Sequence, residues 1–494
     1  MKRQRGTGRV TLAAMAAMCA VAALPGQAWA AGEPNPYAFD SEAKAIKGRA
    51  VNSDGPPLMA GSTYKDTIKP GEKRYYRVDL DAKTNAYVSA VAVPKLATKV
   101  SYADKLSVSI EDRSGSKCGE DDAQFGSVSY ARPVAAYADR TIKKDSNSCQ
   151  EAGAYYVLLE RKSDDTSTPE PWAVEIRYAS EPGLKSAAPT APPESWPSAS
   201  PAAPGGGPAK RHGGTSFTDA TGLKEGEWQD KIIPGQTLFY RVPVDWGQQL
   251  FASADLGTSA APDSAKSVST ALVLSLHNPA RGYVDEKSSV YYDGKQKSLA
   301  LDPLPPVAYE NRYDSTSSTS AMRFAGWYYL SATLNPEVGK EYGNKPIPLT
   351  LRVNVEGEME GRPAYAGPAG DFEVTKDDQE AADSGKSAPE AAKSDTMQLV
   401  AAAGIGAGTV LVLGLGAWTL LARRRTTGVP LQGPAPVADA AAPFPAQGPV
   451  QGPVQGQLPG QVPGGYGAPG QVPGQVPGQA PGQAPGQYGP PPTW

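Results

Sequence analysis

A segment of this chain recurs 164 residues further along the sequence. Residues 64–78, YKDTIKPGEKRYYRV, align without a gap with residues 228–242, WQDKIIPGQTLFYRV. A later motif, AGAYYV at residues 152–157, recurs as AGWYYL at residues 325–330. A chain that repeats itself in this way is built from copies of one folding unit. The sequence therefore predicts two domains of the same fold in tandem.

The pattern of side chains within each copy is that of β-strands. In residues 76–80, YRVDL, apolar side chains alternate with polar ones, a period of two that is typical of half-buried strands. The Pro-Gly pairs at residues 70–71 and 234–235 suit type II turns, because proline fixes φ at the second turn position and glycine accepts the positive φ at the third. About six to eight such strands in each copy predict an all-β fold of two tandem antiparallel β-sandwiches.

Two motifs carry a resemblance to a known family. The opening hairpin D-x-I-x-P-G-x-x-x-Y/F-Y-R-V, at residues 66–78 and 230–242, and the closing A-G-x-Y-Y strand of each copy resemble the bacterial pre-peptidase C-terminal domain family. Members of that family are small, jelly-roll-like sandwiches attached to secreted enzymes and surface proteins. The resemblance covers residues 55–180 and 218–357. It implies jelly-roll-like domains, and because no peptidase domain precedes either copy, it implies an accessory role alone.

The N-terminal 30 residues have the features of a secretory signal peptide. Four basic residues within the first nine precede an apolar run at residues 10–24, and Ala28-Trp29-Ala30 has the small-x-small form of a cleavage site. The mature chain is predicted to begin at Ala31.

A second apolar segment is long enough to cross a bilayer. Residues 396–422 contain no charge, and 27 residues of helix exceed the hydrocarbon thickness of about 30 Å. Arg423, Arg424 and Arg425 follow at once, and the positive-inside rule places them in the cytoplasm. The sequence predicts a single-pass protein of the bacterial cell membrane with its N-terminus outside and its C-terminus inside.

The composition of the remaining segments completes the predicted organisation. Proline-rich and polar stretches cannot bury enough apolar area to fold, and the tail repeats Pro-Gly-Gln units with one charge after Arg425. The predicted parts are a signal peptide (1–30), a first sandwich (31–183), a Pro-rich linker (184–214), a second sandwich (215–357), a polar stalk (358–395), a transmembrane helix (396–422) and a disordered cytoplasmic tail (423–494).

Cys118 and Cys149 are the two cysteines that remain after removal of the signal peptide. In an oxidising exterior compartment, a disulfide between them is the natural prediction. The second copy has no cysteine, so the bridge is a local clamp on the first copy and is not a requirement of the fold.

The exterior offers no pattern of catalytic residues. Its two histidines are His212, in the Pro-rich linker, and His277, in a predicted turn, whereas serine-histidine catalysis needs a histidine held beside a nucleophile. The acidic groups at residues 111–112 and 120–122 are interpreted as solvated turns and not as glycosidase carboxylates. Residues 31–395 carry 41 basic against 50 acidic residues, which disfavours nucleic acid as a partner. The protein is predicted not to be an enzyme.

Calcium is the one cofactor for which the sequence offers ligands. Asp79 and Asp81, or the acidic residues 120–122, could supply carboxylate oxygens in loops. Neither group has the spacing of a known calcium-binding loop, so no cofactor is predicted and calcium remains an open alternative.

The aromatic residues suggest a contact surface. The chain has 23 Tyr and 8 Trp against 8 Phe. Tyr and Trp suit partly solvated surfaces, because one end of the ring packs while the other end meets solvent or a ligand. Most of the tyrosines are explained by strand propensity. Tyr291 and Tyr292, near Tyr283 and Tyr309 in the second copy, are the candidates for a carbohydrate or protein contact.

These features predict a non-catalytic, membrane-anchored binding or scaffolding protein of the bacterial cell surface, with a surface protein or a cell-wall glycan as its partner. Two alternatives stay open. One is a signalling or assembly adaptor that recruits a cytoplasmic partner through the Pro-rich tail. The other is a protein that binds or hydrolyses cell-wall polysaccharide.

Overall fold

The computed structural model describes residues 33–143, 146–186, 188–260, 262, 264–288, 291–394 and 413–421. Within these residues the secondary structure is mostly β-strand, with a few short helices. The strands form two sandwiches, which confirms the predicted all-β fold. The predicted signal peptide and tail lie outside the described residues.

Nine strands build the first sandwich: β1 (Lys44–Ala45), β2 (Thr63–Ile68), β3 (Lys73–Leu80), β4 (Asn85–Val93), β5 (Lys105–Glu111), β6 (Lys117–Gln124), β7 (Val134–Arg140), β8 (Gly153–Lys162) and β9 (Trp172–Glu181). One sheet has the order β1-β2-β9-β4-β7 and the other β3-β8-β5-β6. Only β1 and β2 pair in parallel within these sheets. The two sheets enclose one apolar core.

The second sandwich contains twelve described strands: β10 (Pro208–Lys210), β11 (Thr221–Gly222), β12 (Gly226–Ile232), β13 (Thr237–Val244), β14 (Gln249–Leu256), β15 (Val268–Ser269), β16 (Leu272–His277), β17 (Tyr283–Ser288), β18 (Tyr291–Tyr292), β19 (Lys297–Ala300), β20 (Gly326–Leu334) and β21 (Ile347–Glu356). Its main sheets have the orders β10-β12-β21-β14-β19 and β11-β13-β20-β16-β17, and β15 pairs with β18. Apart from the added edge strand β11 and the β15-β18 pair, this order repeats that of the first sandwich strand for strand. The sequence repeat is therefore also a repeat of topology.

The helices of the described chain are short: α1 (Ser317–Ala321), α2 (Glu337–Tyr342), α3 (Lys376–Ser384), 3₁₀ turns at Asn52–Asp54, Tyr309–Tyr313 and Gly370–Phe372, and helical residues at 388–394 and 413–421. None of the helices in this part of the chain is long and apolar enough to span a membrane. Most of the predicted span 396–422 lies outside the described residues, which include only residues 413–421 of it.

A buried hydrogen-bond cluster explains the first repeated motif. The carboxylate of Asp66 accepts hydrogen bonds from the Tyr76 hydroxyl and the Gly48 amide, both at 2.7 Å. Burial and the neighbouring Asp66 carboxylate raise the pKa of Tyr76, so the phenol keeps its proton and donates. Gly48 is required because a Cβ at this position would lie 2.7 Å from the Tyr76 ring. The cluster ties the segment before β2 to both strands of the hairpin.

The second copy contains the same cluster. The carboxylate of Asp230 accepts from the Tyr240 hydroxyl at 2.7 Å and from the Gly213 amide at 2.8 Å. A Cβ on Gly213 would again lie 2.7 Å from the tyrosine ring. The aspartate and tyrosine of the repeated motif therefore hold the hairpin in place, and their recurrence has a structural cause.

Strand β9 is buried on both faces, unlike the half-buried strands that the alternation predicts. Val174 and Ile176 point into the core of the first sandwich. Glu175 and Glu181 lie on the opposite face and are completely buried, because this face packs against the second sandwich. Two acidic side chains therefore lie at the centre of the contact between the sandwiches.

Arginines of the second sandwich neutralise these two glutamates. Arg281 contacts Glu175 at 2.6 Å, and Arg312 binds Glu181 with both guanidinium NH₂ groups, at 2.8 and 3.1 Å. The Tyr37 hydroxyl also donates to Glu175, at 3.1 Å. Buried charges persist only when they are paired and hydrogen-bonded, and both carboxylates meet this condition.

Further hydrogen bonds to Glu181 come from both sandwiches. Asn85 and Tyr87 donate to it from the first sandwich, and Tyr365 donates from the segment after β21. Burial alone raises the pKa of Glu181, but the charge of Arg312 and these hydrogen bonds together hold the pKa below its ordinary value of 4.5. The carboxylate is therefore ionised at neutral pH.

The segment predicted as a polar stalk is packed against both sandwiches in its described part. Phe372 is completely buried between Tyr87 of the first sandwich and Phe324 of the second. Asp371 accepts two hydrogen bonds of 2.7 Å from Arg177. The composition of this segment is polar, but its few apolar side chains bind the interface, so it is not an extended spacer over these residues.

The predicted Pro-rich linker is also partly folded, since its residues 208–210 form β10 beside β12. Upstream of β10, the chain crosses the outer face of the second sandwich. The side-chain amides of Gln249 and Asn354 donate to the carbonyls of Pro197 and Ala202, and the Trp196 indole donates to Pro303. The linker thus contacts the outer face of β14 and β21 at the end that carries Gln249 and Asn354.

The predicted disulfide is confirmed. Cys118 in β6 and Cys149 before β8 are bonded, with their Cα atoms 5.7 Å apart and a sequence separation of 31. Replacing both with serine removes this constraint on the unfolded chain, and we expect a loss of roughly 3–4 kcal/mol in the free energy of unfolding. Urea unfolding measures the change. Reductant should lower the unfolding midpoint of the wild type by as much as the double substitution does, and it should leave the midpoint of the double variant unchanged. A shift in the midpoint of the double variant would contradict this prediction.

The ion pair of Glu181 should dominate the contact between the sandwiches. Glu181→Gln leaves the buried Arg312 charge without a counterion, and we expect a loss of roughly 3–5 kcal/mol in urea unfolding. The exposed Asp79, paired with Arg77 at 2.7 Å, is the matched control, and Asp79→Asn should cost about 1 kcal/mol or less.

The same variant should change the dependence of stability on pH. Because the pKa of Glu181 is lower in the folded protein, its contribution is complete above pH 4.5 and is lost as the pH falls below that value. The difference in stability between wild type and Glu181→Gln should therefore narrow as the pH falls from 5 to 3, about the range over which such a carboxylate titrates. A difference that stayed constant over this range would contradict the assignment.

Candidate functional site

The two histidines lie far from any recognisable catalytic arrangement. His212 is largely exposed, and its Nδ1 lies 2.9 Å from the Asp230 carboxylate, which is already engaged in the hairpin cluster. His277 ends strand β16 and is not in the predicted turn. It is buried against Phe217, and burial together with two nearby arginines lowers its pKa to about 4. His277 is therefore neutral at physiological pH and acts as a core residue.

The acidic residues considered as calcium ligands or catalytic carboxylates are separately engaged. Asp79 pairs with Arg77, and Asp81 accepts the backbone amides of the turn that follows it. Asp122 pairs with Lys105, and burial raises the pKa of Asp121 to about 6. Within the described residues, no three His, Cys, Asp or Glu side chains are grouped so that they could hold a metal ion.

The four candidate tyrosines do not form one surface. Tyr283 and Tyr291 are exposed, but they belong to β17 and β18, which lie in different sheets. Tyr292 is completely buried, and its hydroxyl donates to the Gly257 carbonyl at 2.7 Å, so it is a core residue and not a contact residue. Tyr309 is half-buried and lines a cleft.

This cleft has a volume of about 270 Å³ and lies at the side of the second sandwich. Four segments form its walls: the start of the linker, the turn after β13, the loop before α1 and the chain after β21. The residues that line it include Pro189, Trp246, Tyr309, Glu310, Glu360 and Pro363. We refer to it as the Trp246 cleft.

Trp246 contributes an unpaired hydrogen-bond donor. The residue is buried in the core of the second sandwich and also lines the cleft. Its indole N–H is buried and has no hydrogen-bond partner among the described residues. A buried donor without a partner costs free energy, so such a group is typical of places where a ligand or an ordered water completes the structure.

The Glu181 ion pair positions Tyr309. Arg312 lies one helical turn after Tyr309 in the 3₁₀ turn, and its guanidinium carbon lies 3.4 Å from the Tyr309 ring centroid. The ring also meets the edge of Tyr365 at a centroid distance of 6.4 Å. Because Arg312 and Tyr365 both bind Glu181, the contact between the sandwiches also fixes one wall of the Trp246 cleft.

The charged groups of the cleft are all acidic. Glu310 and Glu360 contribute carboxylates that make no hydrogen bond or ion pair within the described chain, and no Lys or Arg lines the cleft. Burial, the largest effect, raises the pKa of the Tyr309 phenol to about 12, so it can donate a hydrogen bond at neutral pH. The side chains that line the cleft therefore offer carboxylate acceptors, the hydroxyl groups of Ser186 and Tyr309, and no positive charge.

A wider cleft of about 520 Å³ lies beside α3. Two of its charged groups, Lys224 and Asp383, pair with each other. Its walls contain no aromatic side chain and no unpaired buried donor. The Trp246 cleft is therefore the stronger candidate of the two.

Sequence analysis identified Tyr309 but missed Trp246. The repeat contained a usable signal, because the offset of 164 places Trp246 opposite Ala82, an exposed alanine in the first copy. A large aromatic side chain added to one copy of a duplicated domain indicates a feature that only that copy has. Glu360 could not be found in this way, since it lies beyond the repeat.

No protein-family model matches the sequence, and no curated protein sequence matches it. Solved structures that match part of the chain include the cryo-EM structure of Broad Bean Stain Virus, at 8% identity over 66% of this chain and 95% of that chain, with a TM-score of 0.18. The ANX1 ectodomain from Arabidopsis thaliana matches at 9% identity over 63% and 92%, with a TM-score of 0.17. The CBM22-1-CBM22-2 tandem domain of Paenibacillus barcinonensis Xyn10C matches at 12% identity over 65% and 100%, with a TM-score of 0.15. TM-scores this low support no inference about function.

The unpaired indole can be tested with a matched pair of variants. Trp228 is buried in the same core, but its N–H donates to the Lys224 carbonyl at 3.0 Å. Trp228→Phe removes a hydrogen bond, whereas Trp246→Phe removes an N–H group that has no hydrogen-bond partner in the described chain. We expect Trp246→Phe to cost at least about 1 kcal/mol less than Trp228→Phe in urea unfolding. An equal or larger loss for Trp246→Phe would mean that its N–H already has a partner.

Proposed function

We propose that the protein is a single-pass protein of the bacterial cell surface whose two sandwiches act together as one non-catalytic binding or scaffolding module. The observation that carries this proposal is the pair of buried ion contacts, Glu175 with Arg281 and Glu181 with Arg312. Independent modules on a flexible linker do not bury charges against each other. A fixed arrangement of two domains suits a protein that presents a defined surface to a partner.

Each sandwich is proposed to be a jelly roll related to the pre-peptidase C-terminal domains. In the first sandwich, β2 lies next to β9 in one sheet, and β3 lies next to β8 in the other. This interleaving of early and late strands is the arrangement of double-sheet jelly rolls. The resemblance of the hairpin motif supports the family assignment, although the Asp66–Tyr76 hydrogen bond shows that the motif has a structural role.

The membrane anchor is proposed from the sequence of residues 396–422 and the three arginines after it. The described part, residues 413–421, is helical and exposes the large apolar side chains Leu413, Trp418 and Leu420. Such side chains suit contact with lipid. The signal peptide predicted from the sequence and the disulfide between Cys118 and Cys149 support an exterior location for both sandwiches.

The proposed topology can be tested by labelling intact cells. A membrane-impermeant amine reagent should label exterior lysines, whereas an epitope tag placed after Trp494 should bind antibody only after permeabilisation. A cytoplasmic protein of the same cells serves as the control for leakage. A tag accessible on intact cells, or sandwiches that are labelled only after lysis, would contradict the proposed topology.

A deletion separates this proposal from the adaptor hypothesis. Removing residues 426–494 leaves the anchor and its arginines intact. A surface-binding protein should keep its cross-linked exterior partners after this deletion, as identified by mass spectrometry of captured proteins. If the truncated protein keeps its exterior partners but no longer restores the growth or morphology of cells that lack the full-length protein, the adaptor hypothesis is favoured.

A further inference from the structure

The Trp246 cleft provides the chemistry needed to say what kind of ligand it would take. Glu310 and Glu360 provide hydrogen-bond acceptors with no partners in the described chain, and Trp246 provides a buried donor with none. A ligand that pairs with both carboxylates must carry hydrogen-bond donors. Hydroxyl groups do this, since each one donates one hydrogen bond and accepts two.

The charge of the cleft excludes several other ligands. Phosphate, sulfate and carboxylate groups need Lys, Arg or helix N-termini, whereas the cleft has two carboxylates and no cation. A metal ion needs more ligands than these two side chains, and no such group exists within the described residues. A proline-rich peptide offers mainly carbonyl acceptors, which would leave Glu310 and Glu360 unpaired.

The apolar surfaces of the cleft suit the ring of a sugar. The guanidinium group of Arg312 lies against the Tyr309 ring, and Tyr309, which is half-buried, lines the cleft. Pro189 and Pro363 add rigid apolar walls. A pyranose has apolar C–H groups and peripheral hydroxyls. Its C–H groups can pack on the Tyr309 ring while its hydroxyls donate to the two carboxylates.

The volume limits the size of the ligand. Small-molecule sites commonly have volumes of about 300–1,000 Å³, and the Trp246 cleft, at about 270 Å³, lies just below this range. It therefore accommodates one or two sugar units and not a long segment of polymer.

We propose that the Trp246 cleft binds an uncharged, hydroxyl-rich sugar unit of a glycan. Access to a wall glycan rests on the proposed exterior location of the sandwiches, but binding itself does not. In the bound state, Glu310 and Glu360 accept hydrogen bonds from sugar hydroxyls, and the sugar ring packs against Tyr309.

The test uses the full-length chain in a detergent that carries no sugar headgroup. Chitotetraose and cellotetraose are the probes, both uncharged, and saturation-transfer NMR together with a titration measures binding. We expect one of them to bind wild-type protein. Glu310→Ala combined with Glu360→Ala should weaken binding at least ten-fold, and Tyr309→Ala should do the same. Tyr283→Ala, at an exposed tyrosine outside the cleft, should leave affinity unchanged.

Folding of every variant is checked by its thermal unfolding midpoint. If Tyr309→Ala fails to fold, the double glutamate variant decides the matter, because those residues are not buried and their side chains make no hydrogen bond or ion pair in the described chain. The proposal is overturned if neither oligosaccharide binds, if the double variant binds as wild type does, or if a proline-rich peptide binds in the cleft instead. Binding by a protein that fails the topology test would overturn the proposed function and leave the cleft assignment standing. If the topology is as proposed but neither oligosaccharide binds, the cleft assignment is overturned and the proposed function stands.

Discussion

Two carboxylates on the outer face of strand β9 organise the contact between the two described sandwiches. Glu175 and Glu181 are completely buried, so each requires a cationic partner, and the second sandwich supplies Arg281 and Arg312. The consequence extends beyond the contact itself. Arg312 also lies against Tyr309, and the Tyr365 hydroxyl that binds Glu181 comes from the segment after the second sandwich. The interface, the packing of that segment and one wall of the cleft therefore depend on the same buried charge.

Much of the fold could be predicted from the sequence because its strongest signal is local. Strand periodicity, the Pro-Gly turns and the repeat of 164 residues are visible without knowledge of contacts, and the structure confirms two β-sandwiches with matching strand order. The disulfide could be predicted because two cysteines allow one pairing. The role of Asp66 and Tyr76 could not, since their hydrogen bond joins residues whose pairing is seen only in three dimensions.

The parts that sequence reasoning missed all depend on long-range packing. The acidic and basic partners at the interface are more than a hundred residues apart, and nothing in the composition around Glu181 indicates that it is buried. The segment after β21 is polar on average, yet its buried Phe372 and the hydrogen bonds of Tyr365 and Asp371 anchor it. Among the four candidate tyrosines, burial separates Tyr292 from the others, and Tyr309 gains its interest from Trp246, a neighbour that is distant in sequence.

The Pro-rich chain over the second sandwich has a consequence for self-association. The first sandwich binds the second through the outer face of β4 and β9, and the duplicated domain carries the equivalent face on β14 and β21. A head-to-tail contact of this kind would add molecules without end if that face were free. The hydrogen bonds from Gln249 and Asn354 to the linker occupy one end of that face. The linker therefore competes, within the same molecule, for the surface that such a contact would need.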